Sequence, residues 1–472
     1  MLDDQLAPPP PGALIRRLGV PGVLFLTLSV TTPASSVWVI IPGMFQVAGT
    51  GAVWAMVLAG LVCVATAYVY AELSSAFPVA GGEYVVVAQT LGPCAGFIML
   101  GVNVFNNLLF PAVAGLGVSA VLGMVWPGLP AVAVAVAVVL ASTLIAVLNI
   151  RINALVTGLF LLLELVALAI VAWLGLSVGG LDPVAWLSHP VMPSTAGLVP
   201  ADASAIGVAA TIGLFALNGY GAAVYFSEEM HEAPRRIGGT VMIALVVALA
   251  AELVPMLAAL AGAPDMSALL ASDDPFGLLV AARGGAGLAG WLSVAVVIAI
   301  LNAAIACTLA TARFFYGTAR DRSWGRPIDA VLGALHPRWN SPALGTLLVG
   351  AVGVGCCFLP LPLLLVLSGA GLVAIYAGLC LAAIVGRRTG ATAAAAFRMP
   401  LYPLAPALTL AALVYVVWTS WWDLEEGRPG LIATLAQIGV SAAYYALVLR
   451  RRGWRPVLPD QAGANAPSAS IT

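Results

Sequence analysis

Apolar residues do not alternate along this chain. They run on for about twenty residues at a time and are cut by short polar or Pro/Gly-rich stretches. A run of about twenty apolar residues is what an α-helix needs to cross a hydrocarbon layer roughly 30 Å thick, whereas the strands of a membrane barrel alternate with a period of two. The pattern predicts an all-α integral membrane protein with twelve transmembrane helices, segments 1 to 12, at about 20–46, 52–76, 90–123, 130–149, 153–178, 204–229, 237–262, 287–320, 341–359, 362–385, 402–422 and 430–450. Two runs are interrupted at mid-depth. Segment 1 breaks at Thr31, Thr32, Pro33, Ala34, Ser35 and Ser36, and segment 6 breaks at Asn218, Gly219, Tyr220 and Gly221. Irregular backbone inside a bilayer leaves N–H and C=O groups unpaired, so it is tolerated only where protein buries it or a cavity takes it up. Two such breaks at corresponding places in two halves of a chain mark the binding site of a secondary transporter.

Composition supports this reading. The chain is 62% hydrophobic and only 8% charged, against roughly 25% charged in soluble domains. All nineteen basic residues are Arg. They gather at Arg16 and Arg17, Arg151, Arg235 and Arg236, Arg320 to Arg338, Arg387 to Arg398 and Arg450 to Arg455, whereas the loops between hold only Arg283 and Arg428. The positive-inside rule then puts the Arg-bearing loops and both termini in the cytoplasm, which agrees with an even number of helices. The six Cys lie in or beside apolar segments without metal-type spacing and read as small buried hydrophobes. His189, His231 and His336 fall in expected loops. Nothing points to a signal peptide, a phosphate-binding loop, a cofactor, a metal or a nucleic-acid partner.

Segments 1–5 and 6–10 correspond as two five-helix repeats of opposite topology, with segments 11 and 12 outside them. The expected organisation is a disordered tail over 1–15, a transport core over 16–385 with repeats at about 16–178 and 204–385, helices 11 and 12 within 386–455, and a second disordered tail over 456–472. A Pro-rich loop over 179–203, with Pro183, Pro190, Pro193 and Pro200, joins the repeats.

Three stretches carry a family resemblance. Tyr70-Ala-Glu-Leu-Ser-Ser-Ala-Phe-Pro-Val-Ala-Gly-Gly-Glu-Tyr84 follows segment 2. Segment 6 runs Phe215-Ala-Leu-Asn-Gly-Tyr and ends Glu228-Glu229-Met230-His-Glu-Ala-Pro234-Arg235-Arg236. Segment 8 ends Ala312-Arg-Phe-Phe-Tyr316-Gly-Thr-Ala319-Arg320-Asp321, with His336-Pro337 and Pro342 beyond. In this order and spacing they resemble the amino acid–polyamine–organocation superfamily of permeases, bacterial type. That resemblance implies a LeuT-type 5+5 inverted repeat plus two extra helices, with substrate held between broken helices 1 and 6 and bounded by helices 3, 8 and 10.

It also implies roles. Half-helix N-termini favour an anionic group and half-helix C-termini a cation, so an α-amino acid suits such a site. The segment 1 break departs from the Gly-rich pattern of relatives. Pro33 lacks an N–H, and the hydroxyls of Thr32, Ser35 and Ser36 stand where backbone donors are usual. Phe215 matches an aromatic gate, and Asn106 and Asn107 match the stretch of helix 3 that touches the substrate side chain. Adjacent residues on a helix point about 100° apart, so one of the two Asn is expected to face the cavity. Glu164 sits at mid-depth in segment 5, where a carboxylate costs about 2.5 kcal/mol or more and where several family members carry a Lys in place of a sodium ion. It is the expected coupling residue, by cycling a proton or holding a cation, and protons are favoured over sodium. Glu252 is a second intramembrane acid without an assigned place. Glu72, Glu83, Glu228 and Glu229 are expected to pair with Arg235, Arg236, Arg313 or Arg320 as an inner gate. The expectation is a secondary-active transporter of the bacterial inner membrane, carrying an amino acid; a polyamine or biogenic amine of the same fold is the alternative, and a receptor or channel ranks lower.

Overall fold

The computed structural model describes residues 14–125, 128–178, 183–194, 197–369, 371–425 and 427–458. Most of residues 1–15 and 456–472, the expected tails, lie outside the described residues. The ends nearest the core are packed: Leu14 is buried beside Ala80 and Tyr316, and the Val457 N–H donates to Asp321 Oδ1 at 2.9 Å.

Among the described residues, nine helical runs are long and apolar enough to cross a membrane. The first, Val20–Ala76, contains both segments 1 and 2. Ala131–Ala146 and Ala343–Cys356, at segments 4 and 9, are apolar but shorter. Local chemistry explains where helices start. Pro occupies the first turns at Val20–Thr31, Pro93–Leu108, Ala233–Gly262 and Pro275–Arg320, where its missing N–H costs nothing. Side chains of Asn149, Asp202 and Asp265 cap three other N-termini, and Asp274 caps Pro275–Arg320 as well.

Several boundaries differ from the sequence expectation. Residues 90–91 end a separate helix, Glu83–Leu91, which turns at Gly92 (φ 99°) into Pro93–Leu108. The helical run at segment 8 starts early, at Pro275, and bends at Gly285 (φ 83°). The 179–203 loop holds a short helix, Pro183–Ser188, and an antiparallel hairpin pairing Val191–Ser194 with Gly197–Pro200. This hairpin lies against Gly49, where an added Cβ would fall 1.9 Å from the Val191 carbonyl oxygen.

Both interruptions are present. Segment 1 is Val20–Thr31, a left-handed Thr32 (φ 44°, ψ 69°), the single turn Pro33–Ser35, a π-helical stretch Ser36–Ile40, and Ile41–Ala48. Pro33 removes the N–H that would continue the helix and its ring disfavours helical backbone at Thr32. Segment 6 is Ala203–Ala216, then Gly219 at φ 122°, then a 3-10 helix Tyr220–Glu229. The halves pair crosswise. Val20–Thr31 packs on Tyr220–Glu229, and Ile41–Ala48 packs on Ala203–Ala216. The Arg17 and Leu18 N–H groups reach the Glu229 carbonyl at 2.8 and 2.9 Å, and the His231 N–H reaches the Leu18 carbonyl at 2.9 Å. The two segments therefore run antiparallel with their breaks level.

Candidate functional site

At the level of the breaks the two backbones touch. A Cβ on Gly219 would lie 2.7 Å from Thr31 Cα, so no other residue fits there. Ser36 Oγ donates to the Ala216 carbonyl at 2.9 Å and takes up one of the carbonyls freed where Ala203–Ala216 ends. Thr31 Oγ1 donates back to the Thr27 carbonyl at 3.0 Å. These hydroxyls repair broken backbone.

Glu164 is buried and projects from Ile150–Leu176 onto the start of the Pro33–Ser35 turn. Its Oε1 accepts from the Ala34 N–H at 2.7 Å, with Thr32 Oγ1 at a long 3.5 Å. Among the described residues its Oε2 has no hydrogen-bond partner. An internal carboxylate thus occupies a helix start whose free N–H groups and dipole favour an anion. Glu252, on Ala233–Gly262, is 0% exposed and lies beside Ser36, within electrostatic range of Glu164. Among the described residues neither acid forms an ion pair. A carboxylate so buried is tolerated only with a proton or a cation.

The second break faces a tyrosine cluster. Asn218 Oδ1 accepts from Tyr376 Oη at 2.9 Å. Tyr220 is fully buried, its ring edge-on to Tyr70 at 5.9 Å and its hydroxyl close to that of Tyr376. Gly221 leaves room for the Tyr70 ring, which an added Cβ would meet at 2.7 Å. Phe215, at the end of Ala203–Ala216, is 37% exposed, whereas Tyr220–Phe226 beyond the break are buried.

Of the two Asn of segment 3, Asn107 donates to Tyr225 Oη at 3.2 Å, while Asn106 is partly exposed and makes no such bond. Asn103 donates to Glu83 Oε2 at 3.1 Å. Thr32, Pro33 and Ala34 are buried, and Ser35 is partly exposed.

The expected pairing of Glu72, Glu83, Glu228 and Glu229 with arginines is met in part. Glu228 pairs with Arg320 at 2.7 Å, and Glu229 pairs with the fully buried Arg313. Glu72 pairs instead with Arg387 at the end of Gly371–Thr389. Glu83 meets no Arg among the described residues; its carboxylate accepts from Tyr70 Oη at 3.1 Å, Tyr225 Oη at 2.7 Å and Asn103. The short helix Glu83–Leu91 folds back on Pro93–Leu108 and turns Glu83 inward, away from the basic rim. Arg236 pairs within its own helix turn, with Glu232. The Tyr70, Tyr220, Tyr225 and Tyr376 cluster and the place of Glu252 were not read from the sequence. Two of the tyrosines, Tyr70 and Tyr220, stand in the quoted motifs or the break, but the convergence of the cluster is a matter of packing. Cys94 is exposed, unlike the buried position expected of it.

The sequence model of the family described as Amino acid permease matches residues 18–448. A branched-chain amino acid permease of Lactococcus lactis is 26% identical over 84% of this chain and 88% of its own length. A low-affinity putrescine importer of Escherichia coli is 26% identical over 79% of this chain and 81% of its own. A methylthioribose transporter of Bacillus subtilis is 25% identical over the same two shares. These relatives are transporters, and the paired broken helices are what such a protein requires. The chain belongs to the amino acid permease family, within the amino acid–polyamine–organocation superfamily, and is a multi-pass membrane transporter.

Proposed function

We propose that the chain is a proton-coupled secondary-active transporter of a small organic solute bearing an amino group, working by alternating access around the breaks at Thr31–Ser36 and Asn218–Gly221. The architecture proposed is twelve helices with a 5+5 inverted repeat, in a bacterial inner membrane with both termini cytoplasmic. The crosswise pairing of segments 1 and 6 supports the repeat, and the Arg-bearing loops support the orientation.

One observation carries the chemistry: Glu164 Oε1 holds the Ala34 N–H at 2.7 Å while Oε2 has no partner among the described residues. The site therefore holds an acid of its own that can give up its proton for a bound cation, with Glu252 beside Ser36 as a second acid. A substrate ammonium finds a counter-charge here, whereas a substrate carboxylate at the same helix start must displace Glu164. This ranks an organic amine first. An α-amino acid is the second reading, favoured by the partly exposed Ser35 hydroxyl and by the relative that carries branched-chain amino acids. In either case a proton on Glu164 weakens its hold on Ala34 and frees the turn to move, which ties protonation to the break. A titratable acid at this point favours protons over sodium.

The test is uptake into proteoliposomes across an imposed pH gradient, for wild type and Glu164→Gln. Wild-type uptake is expected to rise with the gradient, and the variant, at normal expression, to become insensitive to it. An unchanged pH profile in the variant would refute the coupling role. Competition by putrescine and by leucine ranks the substrates: inhibition by leucine alone would remove the amine reading.

A further inference from the structure

The chain beyond segment 10 folds into a basic hollow that transport chemistry does not use. Helix Gly371–Thr389 ends in Arg387 and Arg388. The backbone turns at Gly390, with φ 81°, and returns through Thr392 and Arg398 to Tyr402. These residues enclose a cavity of about 330 Å³ whose lining has three Arg and no acidic side chain.

The three guanidinium groups are not equivalent. Arg387 is committed: it makes a two-pronged bond to Glu72, donates to the Met399 carbonyl at 3.0 Å, and lies 4.3 Å over the Tyr402 ring. Glu72 in turn accepts from the Met399 N–H at 2.8 Å, and Ser75 accepts from the Phe397 N–H at 3.1 Å. This pins the 397–399 stretch to the end of Ala52–Ala76 and makes one wall rigid. Arg398 spends one donor on the Ala393 carbonyl at 3.0 Å. Arg388 is exposed and makes no hydrogen bond or ion pair among the described residues. Two of the three cations are thus uncompensated, held around a hollow at the end of an apolar helix.

A guanidinium fork matches phosphate oxygens in pairs, and its charge favours a dianion over a neutral ligand. The volume lies at the lower end of the range for small-molecule sites, enough for a phosphorylated headgroup and more than a bare carboxylate fills. We infer that this hollow binds a phosphate-bearing anion, either the headgroup of an anionic lipid or a soluble phosphate compound, through Arg388 and Arg398.

The test is thermal unfolding of the purified full chain in dodecyl maltoside. Inorganic phosphate and dihexanoylphosphatidylglycerol are each added, with sodium chloride at matched ionic strength as the control. A ligand that binds only the folded protein raises the midpoint by mass action. The expected result is a rise of a few degrees with at least one probe beyond the chloride control, lost in Arg388→Gln/Arg398→Gln. Both side chains are exposed, so the double variant keeps the unliganded midpoint of the wild type. A rise with phosphate marks a soluble ligand, and a rise with the lipid alone marks a headgroup. No rise in the wild type beyond chloride, or the full rise in the variant, overturns the inference.

Discussion

Single residues decide where the two broken helices break. Pro33 and Gly219 act through backbone rules that need no knowledge of neighbours, which is why both breaks were readable in advance. Gly219 carries a second constraint that the sequence does not display: it lies against the Thr31 backbone. Gly219→Ala therefore meets both a disfavoured φ of 122° and a clash, and is expected to lose about 1–3 kcal/mol together with most uptake. Gly43→Ala, where nothing lies within 4 Å of the added methyl, is expected to be neutral or slightly stabilising. Denaturation midpoints and proteoliposome uptake check the pair; a Gly219→Ala protein as stable and active as Gly43→Ala would contradict the close approach. Glu83 shows the opposite case. Its motif was recognised, but its partners, Tyr70, Tyr225 and Asn103, come from three different elements.

At the scale of elements, polar ties beyond the segment 6 break hold the ends of segments 6 and 8 together. Arg313 and Glu229 are both fully buried and bonded to each other, and Arg313 Nη1 also donates to the Leu309 carbonyl at 3.2 Å. Removing one member of such a pair strands a charge, so Arg313→Gln is expected to cost about 3–5 kcal/mol. Arg313→Gln/Glu229→Gln should cost less than the sum of the single changes, because the stranded charge is gone. A double-mutant cycle in denaturant reads this directly, and strict additivity would show that the two groups do not act as a unit. The motif containing each residue was legible, and so was the pairing of a Glu228/Glu229 with an Arg of segment 8. The Glu72–Arg387 tie was not, because Arg387 stands 315 positions away on a helix that no motif linked to Glu72.

On the whole-molecule scale, the C-terminal stretch is fastened to the core. Trp454 lies edge-on to Phe97 at 5.3 Å and donates to Ser323 Oγ at 3.2 Å. Asp321 accepts from both the Val457 N–H and Tyr84 Oη, the latter at 2.7 Å. Burial raises the Asp321 carboxyl from 3.8 to about 6, against the opposing pull of Arg320. The folded protein therefore holds this proton to higher pH than the unfolded chain does. The resulting stabilisation is full below pH about 3.8 and is lost as pH rises through about 6. Asp321→Asn cannot titrate, so wild type is expected to lose stability relative to the variant between pH 4 and 7. Parallel pH profiles for the two proteins would show that Asp321 does not titrate in that window.

Run length, composition and motif order already establish a membrane protein built of helices, two of them broken, and its family. Those conclusions rest on run length, composition and backbone rules that are local. Packing alone shows that Glu164 holds Ala34, that Glu252 stands beside Ser36, that Tyr376 joins Asn218 to a cluster with Tyr70 and Tyr220, and that two arginines of a helix end and one of the following loop line a hollow. The physical reason is that these helices are apolar around their whole circumference. The usual stripe that tells which face turns inward is missing, so the pairing of buried polar groups is set by packing between segments far apart in the chain.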